Sequence, residues 1–124
     1  MTRTGRSMVG FGAYAMIMGA GLLVAPNTML DLLLTKPTTE HWIRLLGTSA
    51  IVLGSYYIVA GRNDLTAMAR ASLWGHSMMI VSFTILVVLG IAPVLLLGIA
   101  GNEAVGLGWT WWALRADAQA AAQY

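Results

Sequence analysis

One stretch of the sequence decides the fold, residues 71 to 112, which read ASLWGHSMMIVSFTILVVLGIAPVLLLGIAGNEAVGLGWTWW. These 42 residues contain no Asp, Lys or Arg and a single Glu, Glu103. As one helix they would extend about 63 Å, roughly twice the hydrocarbon thickness of a bilayer. The chain must therefore turn back. Gly90 and Pro93 mark the corner, because glycine loosens the backbone and proline removes a helical donor. The stretch predicts a membrane hairpin.

The composition of the whole chain agrees with membrane insertion. Hydrophobic residues make up 58% of the 124 residues and charged residues only 10%, which is too little polar surface to coat a water-soluble globule of this size. The absence of cysteine excludes a disulfide framework, a thiolate metal site and a cysteine nucleophile. The formal charge is +2 and the basic residues are scattered, so no nucleic-acid surface is indicated.

Two further apolar segments precede the long run, and polar residues bound each of them. We therefore predict a single all-α membrane domain over residues 1–124, a four-transmembrane-helix bundle made of two antiparallel hairpins. The predicted spans cover about residues 8–34, 42–61, 71–90 and 94–114. Pro26 lies near the far end of the first span and predicts a kink or a frayed end there.

The basic residues predict the orientation in the membrane. An even number of spans places both termini on one face, together with five basic residues, Arg3, Arg6, Arg62, Arg70 and Arg115. The opposite face carries two, Lys36 and Arg44. By the positive-inside rule, the face with both termini is expected to be cytoplasmic.

Glycine spacing predicts how the first hairpin packs. Two triplets repeat every seven residues, which keeps their members on one helix face: Gly5, Gly12 and Gly19, and Gly47, Gly54 and Gly61. Small residues let membrane helices approach closely, so we predict a tight antiparallel pair with packing residues Gly12, Gly19, Gly47, Gly54 and Gly61. The alternative is that glycine is simply common in membrane helices.

Glu103 is the strongest candidate for a functional residue. It lies about 15 Å along the fourth span from Pro93, near the bilayer centre, where a charge costs roughly 2.5 to 3.5 kcal/mol and needs a partner, water or a proton. A corner near residues 91 and 92 would bring Ser82 and Asn102 to the same depth, forming a small polar layer with Glu103. This layer is either a hydrogen-bonded packing clasp or a proton or ligand site.

Two other polar residues are candidates. His76 lies about 9 Å inside the third helix from Arg70, and its predicted depth differs from that of Glu103 by roughly 9 Å. Direct contact would therefore require a register shift or an intervening water. Arg44 lies near the outer end of the second span. It is expected to snorkel outward, to pair with Asp31, or to bind a lipid phosphate or an anionic group of a ligand.

Three short motifs carry a resemblance to a known family. They are LLVAPN at residues 22–27, WIRLLG at residues 42–47 and GSYYIVAGR at residues 54–62. On these motifs the chain resembles the small bacterial four-helix membrane proteins of the DoxX-like kind. The resemblance implies four spans in the bacterial plasma (inner) membrane and, for some members, association with quinone-linked oxidoreductase complexes. The chain has no established catalytic motif to which such an activity could be transferred.

Three functions remain open from the sequence. The first is an accessory or structural subunit of a larger membrane complex, without a catalytic or metal centre of its own, in contact with a protein partner or a second copy. The second is a bundle that binds a quinone, a sterol or another lipid, whose polar group is held by Glu103, Asn102, Ser82 or His76. The third is a small proton-coupled transporter centred on Glu103.

Overall fold

The computed structural model describes residues 1–123, and this part of the chain is entirely helical, with no strand. The predicted all-α class is therefore confirmed. Residues 1–123 form five helices in the order α1 (Arg3–Val24), α2 (Pro26–Leu32), α3 (Trp42–Arg62), α4 (Thr66–Val88) and α5 (Leu96–Ala121).

Three of these helices are long and apolar enough to cross a membrane, namely α1, α3 and α4. This finding supports a membrane protein, with lipid against the outward faces of the helices. With 26 residues, α5 is also long enough to cross a membrane. It is less apolar than the other three helices, because it contains four glycines, three tryptophans, Asn102 and Glu103.

The first predicted span, residues 8–34, divides into two helices. α1 already begins at Arg3, and it ends at Val24, because the backbone of Ala25 leaves the helical region with φ −134° and ψ 65°. Pro26 then occupies the first position of α2, where its missing N–H is not needed. The break falls here because proline disfavours a helical conformation in the residue before it.

The first hairpin is held by direct contact between the backbones of α1 and α3, which form the most extensive helix pair of the fold. A Cβ atom added to Gly12 would lie 2.6 Å from the carbonyl oxygen of Gly54, and one added to Gly54 would lie 2.6 Å from that of Gly12. Gly19 and Gly47 oppose each other in the same way, at 2.5 and 2.6 Å. Only hydrogen fits at these positions.

The second hairpin consists of α4 and α5, joined by residues 89–95. Gly90 takes φ +70°, a left-handed conformation that glycine adopts without strain, and it ends α4. The hairpin contacts α1 more through α5 than through α4, whereas α4 has only a small contact with α3.

An apolar cleft lies between the two hairpins on the side of the 89–95 connector. Its volume is about 210 Å³. The lining side chains come from α1, α2, α3, the connector and α5, among them Leu22, Leu30, Ile43, Leu46, Leu96 and Ile99.

At the other end of the bundle, Asp117 of α5 caps the first turn of α1. Its carboxylate accepts hydrogen bonds from the backbone N–H and the hydroxyl of Thr4, at 2.8 and 2.7 Å, and from the N–H of Arg3 at 3.3 Å. Next to it, the N–H and hydroxyl of Thr2 donate to Asp64, at 2.8 and 2.7 Å. The start of α1, the α3–α4 turn and the end of α5 therefore lie together.

Alanine substitutions at the facing glycines test the backbone contact. We expect Gly12→Ala and Gly54→Ala each to lower the free energy of unfolding by about 1–3 kcal/mol, because the new methyl group overpacks the interface. Thermal unfolding in detergent micelles, followed by circular dichroism, measures the change. The matched control is Gly101→Ala in α5, where nothing lies within 4 Å of the added Cβ. Equal stability of Gly12→Ala and the control would contradict the packing described here.

Acid should weaken the cap on α1. Burial raises the pKa of Asp117, but the hydrogen bonds from Thr4 and Arg3 outweigh it, so the folded-state pKa is below its usual value. A carboxyl with a lowered folded pKa contributes stability above its unfolded pKa of about 3.9, and this is lost as the pH falls through the folded pKa.

We expect Asp117→Asn, which loses the charge, to lower stability at pH 7 by about 1 kcal/mol, as for a weakened helix cap. The difference from wild type should shrink below about pH 4, where the carboxyl of the wild type becomes protonated first in the unfolded state and then, at lower pH, in the folded state. Melting temperatures measured between pH 7 and pH 3 test both expectations, with the exposed Gln119→Ala as control. A difference that stays constant over this range would exclude the cap as its cause.

Candidate functional site

A buried acid–base pair joins α4 to α5. Nδ1 of His76 lies 2.6 Å from Oε2 of Glu103, within hydrogen-bond distance. Only 2% of the surface of His76 and 9% of that of Glu103 is exposed. The two residues that the sequence marked as separate candidates therefore form one site.

The predicted 9 Å difference in depth between these residues is not observed. His76 lies 12 residues before Val88, the last residue of α4, whereas Glu103 lies only seven residues after Leu96, the first of α5. The mismatch of five residues corresponds to about 7.5 Å of helical rise. The connector of residues 89–95 must span this distance by running back along the bundle. The prediction assumed a sharp turn at residues 91 and 92, which does not allow for this distance.

The predicted polar layer of Ser82 and Asn102 around Glu103 does not form. Ser82 follows His76 by six residues, which at about 100° per residue turns it some 240° around the helix, and it lies on the exposed face of α4. Asn102 is half-buried beside Glu103 in sequence but has no hydrogen bond to that carboxylate within residues 1–123. The partner of Glu103 is His76.

Two aromatic rings of the first hairpin enclose the imidazole. The ring of Phe11 in α1 meets it edge to face, with centroids 4.5 Å apart. The ring of Tyr57 in α3 lies 6.3 Å away, and Phe11 and Tyr57 also contact each other at 5.3 Å. Side chains of all four long helices therefore meet at this site.

The second ring nitrogen of His76 is unsatisfied. Nε2 is buried and has no hydrogen-bond partner within residues 1–123. Leaving a buried polar group unpaired costs about 1–3 kcal/mol, and nearly all such groups in folded proteins have a partner. The described residues therefore leave one buried polar atom of this site without a hydrogen-bond partner.

Polar residues recur along α5 between the site and the capped end of the bundle, and the sequence reasoning missed them. Ser7 and Thr110 share a buried hydrogen bond of 3.2 Å between α1 and α5. Glu103, Thr110 and Asp117 are spaced by seven residues, so they share one face of α5. The heptad spacing that identified the packing glycines would also have identified this face.

Arg44 is exposed at the start of α3, where its guanidinium donates a hydrogen bond to the carbonyl oxygen of Leu23. This carbonyl belongs to the last turn of α1, which has no partner within its own helix. No ion pair joins Arg44 to Asp31 in the described part of the chain. The contact of Arg44 is thus of the structural, anchoring kind.

Comparisons with known proteins do not indicate a function, so the function is inferred from the geometry of the site. No protein-family model, no curated protein and no solved structure matches this chain. Within residues 1–123, no group of three or more His, Asp or Glu side chains is placed to hold a metal ion. The pair itself can hold or release a proton, and Nε2 can accept or donate a hydrogen bond.

A double-mutant cycle tests the coupling of His76 and Glu103. We expect His76→Phe alone to cost about 3–5 kcal/mol, because it leaves a buried acidic group without its partner. Combining it with Glu103→Leu should recover part of this loss, since both polar groups are then replaced by apolar ones. The free energy of unfolding in micelles provides the measurement, and Ser82→Ala on the exposed face of α4 is the control. Additive losses would show that the two residues are not coupled.

Proposed function

We propose that this protein is a four-span integral membrane bundle that binds a lipophilic small molecule, whose polar end is held by the His76–Glu103 pair. The buried, unpaired Nε2 of His76 carries this proposal. A packing clasp needs only the Nδ1–Oε2 contact, whereas a ligand site explains why a second polar atom is kept unpaired in the same place.

In this proposal the rest of such a molecule lies in the apolar cleft and extends past Ile99 to the pair, because neither His76 nor Glu103 lines the cleft. It adjoins the connector, and its lining residue Ile99 lies four residues before Glu103, about 6 Å along α5. Its volume of about 210 Å³ is below the roughly 300–1,000 Å³ of sites that enclose drug-sized molecules. The cleft therefore suits a slender hydrocarbon chain better than a bulky ring system.

In this proposal α5 is the fourth span, and the end capped by Asp117 faces the cytoplasm. The excess of arginines at that end supports the orientation, and the buried Glu103 has His76 as its hydrogen-bond partner within the bundle. The resemblance to DoxX-like proteins supports a location in the bacterial inner membrane.

The accessory-subunit hypothesis is the second candidate, because two serines lie on the outward faces of membrane helices. Ser49 in α3 and Ser82 in α4 are exposed at positions where lipid tails offer no hydrogen bond. Serine hydroxyls on such faces can bond to a neighbouring helix, either of another protein or of a second copy.

Native mass spectrometry of the protein, taken from its native membrane into lipid nanodiscs, tests the proposal. We expect one defined small molecule per chain in the wild type and in Ser82→Ala, and loss of at least 90% of it in His76→Phe, because only the last variant removes Nε2. Glu103→Gln provides a second variant that keeps the size of the side chain. Unchanged occupancy in both site variants would contradict the site. A stoichiometric protein partner without a small molecule would favour the accessory subunit.

A further inference from the structure

A second cavity lies at the capped end of the bundle, where the start of α1, the start of α4 and the end of α5 meet. Its volume is about 270 Å³. One water molecule needs roughly 10–15 Å³ of such space, so the cavity has room for a group of several non-hydrogen atoms. The lining side chains are both polar and apolar, among them Thr2, Thr4, Thr66, Arg70, Leu114 and Asp117.

We propose that this cavity binds the headgroup of a membrane phospholipid that carries both a phosphate and a primary ammonium group, as in phosphatidylethanolamine. In this site Arg70 binds the phosphate and Asp117 binds the ammonium group. The site is separate from the one in the proposed function, because neither His76 nor Glu103 lines this cavity.

Two opposite charges line the cavity without pairing with each other. Within residues 1–123, no ion pair or hydrogen bond joins Arg70 to Asp117, and no aromatic ring is stacked on the guanidinium of Arg70. Arginine is always protonated, and the lowered pKa of Asp117 keeps this carboxylate ionised at neutral pH. Unpaired opposite charges in one cavity fit a ligand that carries both charges itself.

Each end of such a headgroup finds hydrogen-bonding capacity that the protein leaves unused. The carboxylate of Asp117 accepts two hydrogen bonds at Oδ2 and one at Oδ1, whereas a carboxylate has about four acceptor sites. One site therefore remains for an N–H of an ammonium group. Next to Arg70 in the lining is Thr66, the first residue of α4, and this helix end has no side-chain cap. The positive end of the helix dipole adds to the charge of Arg70 in favouring a phosphate.

The depth of the cavity matches that of lipid headgroups. Exposed tryptophans mark the interface between the hydrocarbon and the headgroups. Trp74 of α4 is 71% exposed and Trp112 of α5 is 55% exposed. Arg70 lies one helical turn before Trp74, about 6 Å nearer the end of the bundle, and Asp117 lies about 7.5 Å beyond Trp112. Both charges are therefore placed just outside the hydrocarbon, where the headgroups lie.

The pair of charges also predicts which headgroups bind less well. A phosphatidylglycerol headgroup is anionic, so it gains the contact with Arg70 but meets the negative charge of Asp117. A phosphatidylcholine headgroup carries both charges, but its quaternary ammonium group has no N–H to donate. We expect phosphatidylethanolamine to be favoured about fivefold over either, which is the size of one good contact between exposed charges.

Lipid retention by the full chain tests this selectivity. The protein is placed in nanodiscs with equal amounts of the three phospholipids, all with the same acyl chains, and native mass spectrometry measures which lipid stays bound after release. We expect the wild type to retain phosphatidylethanolamine about fivefold over the other two, and Arg70→Gln to lose this preference. Asp117→Asn should transfer the preference to phosphatidylglycerol, because only the positive charge then remains. Circular dichroism verifies that both variants are folded.

The matched control is Arg62→Gln, which removes an exposed arginine at the same end of the bundle but outside the cavity lining. It should keep the preference of the wild type. An equal loss in Arg62→Gln would assign the preference to the overall charge of this end and overturn the site. Equal retention of the three lipids by the wild type, or a preference for phosphatidylglycerol, would overturn it as well. His76→Phe should also keep the preference, so a failure of the headgroup site and a failure of the proposed function are distinguishable.

Discussion

The backbone contact between α1 and α3 is the constraint on which the rest of the structure depends. Lipid tails are as apolar as leucine side chains, so membrane helices gain little from burying apolar surface against each other and depend on close packing. Opposed glycines bring the two backbones together without intervening side chains. Phe11 lies one residue before Gly12, and Tyr57 lies three residues after Gly54, so this contact also fixes the two rings that enclose His76.

The second hairpin depends on a different kind of interaction. Gly75, Gly98, Gly101 and Gly108 have open space where a side chain would begin, so α4 and α5 have no glycine contact like that of the first hairpin. Their buried polar contact is the one between His76 and Glu103. A directional hydrogen bond fixes rotation and register more strongly than apolar packing does, but in a membrane it requires that every buried polar atom find a partner. Nε2 of His76 is the atom that still lacks one.

The part of the fold that follows from local sequence could be predicted, and the part that depends on the connector could not. Period-seven glycines indicate a helix face wherever the helix lies, and the break at Pro26 follows from the chemistry of proline. The depth of His76 relative to Glu103, in contrast, depends on the path of residues 89–95, which sequence spacing does not encode. The predicted register between α4 and α5 was wrong by five residues. It therefore placed Ser82, instead of His76, beside Glu103. The candidate residues Glu103 and His76 were identified, but their pairing was not.

The cap that Asp117 places on α1 has a consequence for the order of assembly. α1 is synthesised before α5, so the amide groups of Arg3 and Thr4 do not have the Asp117 carboxylate as acceptor until α5 has been made. Until then water or lipid headgroups must bond these donors. The cap on α1 is therefore completed only when α5 packs beside it.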